Sequence, residues 1–255
     1  MSAVVKEGRK VTIENVRKVS WDTGEMCEFA SALVAALECL GERVAYHYIM
    51  GVSGVAFRFT LTPGEWDFGN YSIRNVSADP HEPMRRAIAA GYAFTLWERG
   101  AQPNDAARIM ASIDRGAPVL AYPVVGPSDC CIIAGYDEGG DVLLGWSTYQ
   151  NIPDDHNIPH DATGYFRKPG WHDNLHGYIL LDDKQTLPPA RAIYRGAFGW
   201  AVQLLRASRL GNKHTGLAAL ATWADEMTQE RYFPLDDEQA MGQRYVSAAI
   251  NMTML

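Results

Sequence analysis

The segment WDTGEMCEFASALVAALECLG, residues 21–41, decides the fold. Met26, Phe29, Ala30, Leu33, Val34, Leu37 and Leu40 recur at three- and four-residue steps, which lays one apolar stripe on a helix spanning 25–40. Asp22 followed by Glu25 has the form of a reciprocal N-terminal cap, and Gly41 suits the left-handed residue that ends a helix. Cys27 then falls in the first turn, on the flank of the stripe. Unpaired N–H groups and the positive end of the helix dipole favour a thiolate there. Two readings follow: a nucleophilic cysteine, or a small buried hydrophobe near a helix start.

Working outward, residues 10–19 read as an extended lead-in. Val44 to Met50 and Val55 to Leu61 are β-branched and aromatic, which predicts two strands joined by Gly51-Val52-Ser53-Gly54. Ser72 to Ser77 is a further short strand candidate. Asp79-Pro80 predicts a helix through about Arg99, and Gln102-Pro103-Asn104 a second one running out at Gly116. Three strands follow at 118–124, 130–136 and 141–146, the last two joined by the hairpin signal Asp137-Glu138-Gly139-Gly140. The loop-rich stretch 147–176 holds four of the seven histidines, and 177–181 reads as a last strand. After Pro188-Pro189 the pattern turns helical, roughly 190–209, 214–229 and 236–255, with Leu204, Leu205, Leu217, Leu220 and Trp223 as its buried stripe. Two regions are therefore expected: an α/β domain over 1–185 and a helical C-terminal region over 186–255. The helical pattern reaches Leu255 without a capping signal, so the chain is expected to stop inside or just after a helix.

Composition narrows the classes of function. With 47% hydrophobic and 21% charged residues the chain is that of an ordinary globular protein. A net charge of −7 argues against nucleic acid as partner. There is no uncharged apolar run long enough to span a membrane, and the N-terminus lacks the apolar core of a secretion signal, so a cytoplasmic location is expected. The four cysteines, Cys27, Cys39, Cys130 and Cys131, match neither zinc spacing nor a secreted disulfide framework.

Cys27, then Ala32-Leu33, then Leu40-Gly41 resembles the Cys–helix–Gly segment of bacterial papain-like domains. These include the bacteriocin-leader-processing cysteine peptidases and the family of the butirosin biosynthesis protein H N-terminal domain, an acyltransferase. Tyr48 to Phe59 is similar to the glycine-rich segment after the helix in the latter family. Arg115-Gly116-Ala117-Pro118-Val119 and Ile132-Ile133-Ala134-Gly135-Tyr136-Asp137 resemble the paired strands these domains share. Over residues 20–182 the resemblance implies an α+β, papain-like (cysteine-proteinase) fold, with the N-terminal helix packed on an antiparallel sheet.

The departures bear on function. The family's histidine position, six residues before Gly135, holds Asp129. The segment after the next strand, Gly145-Trp146-Ser147-Thr148, contains no Asp or Asn to orient a base, and no glutamine precedes Cys27 near Trp21. A cysteine nucleophile needs a base in hydrogen-bond reach and a group to hold it. If the register holds, Asp129 and Cys131 share a face of the strand, and Asp129 stands at the mouth of the Cys27 helix. A carboxylate with pKa about 3.9 is a feeble base for a thiol near about 8.5, and its charge disfavours the thiolate. Against about 0.3–1 kcal/mol from the helix terminus, that repulsion predicts a neutral Cys27 thiol at pH 7. His160 and His176 are the candidates for a base supplied from elsewhere in the chain, since a triad is set by geometry and not by order.

Two functions are carried forward. In one, the scaffold has lost its dyad and binds a small molecule, a peptide or a carrier-protein partner in bacterial natural-product or peptide metabolism, with Trp21, Glu25, Ser53, Cys131 and Trp146 as candidate binding residues. In the other, Cys27 is the nucleophile of an acyltransferase or peptidase-like enzyme. No cofactor is expected, and no metal: the pairs His156/His160 and His172/His176 do not supply three or four converging ligands, and Pro159 interrupts the first. Cys130-Cys131 reads as a buried pair pointing to opposite faces of a strand. The helical region is a candidate lid or homodimer surface.

Overall fold

The computed structural model describes residues 3–66, 73–89, 91–98, 104–127, 130–152, 158–173 and 175–253. In chain order the elements are β1 (Val4–Glu7), β2 (Lys10–Ile13), α1 (Glu28–Cys39), α2 (Tyr46–Ser53), β3 (Thr60–Leu61), α3 (Glu82–Ala89), β4 (Tyr92–Glu98), α4 (Asp105–Asp114), β5 (Val119–Tyr122), β6 (Cys131–Asp137), β7 (Val142–Trp146), β8 (Phe166–Pro169), β9 (Gly177–Lys184), α5 (Ala190–Arg206), β10 (Arg209–Leu210), β11 (Lys213–Thr215), α6 (Gly216–Glu226) and α7 (Glu238–Thr253). The protein is a mixed α+β chain whose strand pairs are antiparallel. No described helix is long and apolar enough to cross a membrane.

Two compact units emerge. The first comprises Met1–Tyr46 and Gly91–Gln185, the second His47–Ala90 and Thr186–Leu255. Residues 47–90, placed with the first domain by the sequence reading, thus cluster with the C-terminal helices.

In the first unit the sheet runs β1-β2-β6-β5-β9-β4, with β7 pairing β6 and β8 in turn pairing β7. The expected neighbours 118–124, 130–136 and 141–146 are β5, β6 and β7, in register Leu120↔Ile132 and Ile132↔Trp146. Glu138, Gly139 and Gly140 turn the β6–β7 hairpin with three successive positive φ values. Against β5 and β6 packs α1, which buries all its twelve residues except Glu28 and Glu38. Phe29, Leu33, Val34 and Leu37 each contribute about 1.5–3 kcal/mol by leaving water. The helix ends at Gly41, φ 85°, whose neighbour Glu42 donates its N–H back to the Leu37 carbonyl.

In the second unit, β3, β11 and β10 form a small antiparallel sheet. Phe59, Leu61, Trp66, Ala219, Trp223 and Ala248 cluster beside it. Under that cluster the buried Glu226 carboxylate accepts hydrogen bonds from the Gly64 amide at 2.8 Å and the Trp66 indole at 2.7 Å. Each carboxylate oxygen thus accepts one hydrogen bond, which offsets part of the cost of burying it.

Several expectations are corrected. Residues 44–50 are not a strand: Ile49, Val52 and Ser53 are buried at helical spacing in α2, and only Thr60–Leu61 of the second expected strand is extended. The helix expected from Asp79 to Arg99 ends at Ala89. Tyr92 to Trp97, aromatic and alternating, instead pairs with β9 from Lys184 to Tyr178. Ile73–Asn75 is a 3-10 turn and not strand. Leu217, expected in the buried stripe of the C-terminal helices, is exposed, whereas Leu204 and Trp223 are buried.

Candidate functional site

α1 begins at Glu28, not Glu25, so Cys27 is the residue before the first turn, with extended backbone at φ −100° and ψ 106°. The Asp22–Glu25 reciprocal cap does not form. Ser20 caps a short 3-10 turn over Trp21–Thr23 by accepting the Asp22 N–H, and Gly24 at φ 77° closes it. That turn spends the local capping groups before α1 starts. Cys27 is 3% exposed; its carbonyl accepts the Ser31 N–H, and its own N–H donates to the Tyr46 hydroxyl at 2.9 Å.

The start of α1 lies at one end of the sheet, the end where β5 finishes and β6 begins. The Trp21 indole donates to Glu28 at 3.0 Å, and its ring meets that of Tyr149 edge-on at 4.8 Å between centroids. Tyr149 in turn covers Gly126, whose φ of 83° and whose approach to the ring, 2.5 Å from where a Cβ would stand, both exclude a side chain. The loop after β7 is closed by its own hydrogen bonds. Ser147 Oγ donates to the Val125 carbonyl at 3.2 Å and accepts the Tyr149 N–H at 3.1 Å. Gln150 accepts the Ser147 N–H at 3.0 Å and donates to the Gly164 carbonyl at 3.1 Å. Both Ser147 and Gln150 are buried. On the resemblance, this loop is where a base would be oriented, and here Ser147, Thr148, Tyr149 and Gln150 form an uncharged turn, in which the buried Thr148 hydroxyl makes no hydrogen bond among the described residues.

Glu25 faces the helix and not a ligand: its carboxylate accepts from Ser31 Oγ at 2.7 Å and pairs with Arg17 at 2.9 Å. Partial burial pushes its pKa up, but the hydrogen bonds from Arg17 and Ser31 outweigh that and hold it below the usual Glu value. Arg17 also donates to the Ser31 carbonyl at 3.2 Å, tying the lead-in segment to the first turns of α1.

The remaining sequence candidates are dispersed. Trp146 donates its indole N–H to the Val16 carbonyl at 3.0 Å and stacks edge-on with Tyr165 at 5.0 Å, so it clamps the segment after β2. Cys131 opposes Ala121, which opposes Tyr178, and Tyr178 donates to Asp105 of α4; alternation therefore turns Cys131 to the α4 side of the sheet. Its thiol donates to the Val125 carbonyl at 3.5 Å. His176 is exposed, and its backbone N–H donates to the Tyr122 carbonyl at 2.9 Å, which fixes its main chain at the end of β5. His160 is exposed and bridges to Phe166 on the far side of β7 from β6. Ser53 belongs to the second unit, where its hydroxyl caps the turn at Val55 and its carbonyl accepts the Trp200 indole N–H at 3.3 Å. Asp129 and His156 lie outside the described residues. His172 is exposed and stacks on Trp171. Among the described residues no three His, Cys, Asp or Glu side chains converge as metal ligands.

No protein-family model matches the chain, and no curated protein does. The site therefore rests on its own geometry. Sequence reasoning missed Tyr46, Tyr149 and Gln150. Tyr46 stands nineteen residues from Cys27, and only the fold brings its hydroxyl to that amide. Gln150 had a local signal, being three residues after a serine in a strand-terminating loop.

Proposed function

We propose that Met1–Tyr46 with Gly91–Gln185 is a papain-like domain that keeps the cysteine position without its catalytic wiring. It binds a small molecule, a peptide or a carrier-protein partner at the start of α1, in bacterial natural-product or peptide metabolism. The observation that carries this reading is the hydrogen bond from the Cys27 N–H to Tyr46. Acyl transfer at a helix-borne cysteine needs backbone donors aimed at the developing oxyanion. Here the amide of the would-be nucleophile is already bound to a protein oxygen. The closed Ser147–Gln150 turn and the burial of Cys27 support the same conclusion.

A second reading, a cysteine-dependent acyltransferase or peptidase-like enzyme, draws on Cys27 at a helix start and His176 at the end of β5. Incubation with an acyl thioester of N-acetylcysteamine, followed by intact-mass analysis, separates the two. The binding-domain reading predicts no acyl adduct on Cys27 and no thioester hydrolysis above that of Cys27→Ala. An adduct on Cys27 with turnover lost in Cys27→Ala would establish the enzyme reading instead.

A further inference from the structure

The second unit carries an exposed surface whose chemistry points to a second copy of the chain. Helix α5 contains Arg191, Arg195 and Arg206 and no acidic residue, in a protein of net charge −7. Its Ala201 and Leu204 are buried, but Phe198 and Val202, about one turn apart, stand on a different face at 65% and 46% exposure, while the half-exposed Tyr194 beside them meets the Tyr48 ring edge-on. Arg191 and Arg195 lie within that same exposed face, one turn apart. An apolar stripe interleaved with arginines is the composition of an interface centre, where aromatic and Arg side chains concentrate.

The complement is found in the same unit. The turn leading into α7 reads Leu235-Asp236-Asp237-Glu238, all four exposed, with Leu235 bare at 69%. Asp237 is engaged as the cap of α7, accepting the Ala240 N–H at 3.0 Å, which leaves Asp236 and Glu238 as the carboxylates that follow the leucine. One surface thus joins apolar side chains to cations, the other an exposed leucine to anions.

We propose that α5 of one copy receives the Leu235 turn of a second copy, with Arg191 and Arg195 meeting Asp236 and Glu238. Leu235 seats against Phe198 and Val202, and the guanidinium groups pair with the carboxylates at the edge of the contact. Related by a two-fold axis, the same contact forms twice and closes a dimer. The inference is independent of any activity at Cys27.

Sedimentation velocity on the full chain tests it, with charge reversals at exposed positions and thermal unfolding as the check on folding. The unaltered protein should dimerise in a concentration-dependent manner. Arg191→Glu with Arg195→Glu, or Asp236→Arg with Glu238→Arg, should each weaken the dimer by about tenfold or more, and all four changes together should restore it. Phe198→Ser and Leu235→Ser, also exposed, should give monomers without touching the charges. A monomer up to about 100 μM, where a contact with Kd of about 10 μM would show, overturns the proposal. So does a dimer indifferent to all these variants. Monomer binding to phosphatidylserine vesicles that the arginine reversal abolishes would assign α5 to a membrane surface and equally overturn it.

Discussion

The hydroxyl oxygen of Tyr46 lies 2.9 Å from the backbone nitrogen of Cys27 and accepts its hydrogen. This places a side chain from the first turn of α2 on the amide that opens α1. Tyr46→Phe removes the acceptor and leaves that amide to find another. Urea unfolding should show a loss of about 1–2 kcal/mol. If the bond only completes the fold, the variant should gain no reactivity at Cys27.

The Ser147–Gln150 turn makes a second prediction. Ser147→Ala removes both a donor to Val125 and an acceptor for Tyr149 in a buried loop. A loss of about 1–3 kcal/mol follows. Gln150→Leu strands the Ser147 N–H and the Gly164 carbonyl and should cost a similar amount. A loss confined to ligand binding, with stability unchanged, would show that the turn belongs to a site and not to the scaffold.

Glu25 has a pKa held below the usual value, so its contribution has a definite pH window. Stability from it is complete above the ordinary Glu pKa, about 4.3, and is lost as pH falls through the lowered native value. Glu25→Gln should therefore cost about 1–2 kcal/mol at pH 7, with the difference from the unaltered protein narrowing below about pH 4. An undiminished difference at pH 3 would contradict the ion pair with Arg17.

At alkaline pH the first unit should weaken through its tyrosines. Burial pushes Tyr165 up to about 12, with the Val16 amide working against that shift and the nearby Cys39, Asp161 and Glu14 adding to it. Tyr92 and Tyr178 are also raised to about 12, by burial first and then by Glu42 and Asp105 respectively. In the unfolded chain these groups ionise near about 10, so the stability they carry is whole below that pH and drains away as pH rises towards 12. An ultraviolet titration of the folded protein should resolve a late class of tyrosines, reduced by one in Tyr165→Phe. Titration of all twelve tyrosines near pH 10 without unfolding would contradict this.

The α1 stripe and the three strands after Gly116 are legible because each is continuously apolar and the links between them carry Gly or Pro. Gly41 was read correctly for the same reason: a helix end needs a left-handed residue. The segment 44–61 misled because Tyr46, Tyr48, Val52 and Val55 suit a strand by type while Ile49, Val52 and Ser53 are buried at helical spacing. At the site, the sequence showed Cys27 near a helix start and no Asp or Asn within Gly145-Trp146-Ser147-Thr148. It could not show that Tyr46 takes the Cys27 amide or that Ser147 and Gln150 close on each other, since those bonds depend on the folded arrangement and, for Tyr46, on a partner far along the chain. Capping was misassigned because Ser20, two residues upstream of Asp22, competes for the same N–H.

The central claim, that Cys27 occupies a nucleophile's position without a nucleophile's support, is tested by the rate of Cys27 alkylation with iodoacetamide as a function of pH. Peptide mass spectrometry separates it from Cys39, Cys130 and Cys131, which are also buried. The account predicts labelling that is slow at both pH 6 and pH 7 and rises at alkaline pH. Rapid, Cys27-selective labelling at pH 6, lost on replacing His176 with Ala, would contradict it and identify a working thiolate–imidazolium pair.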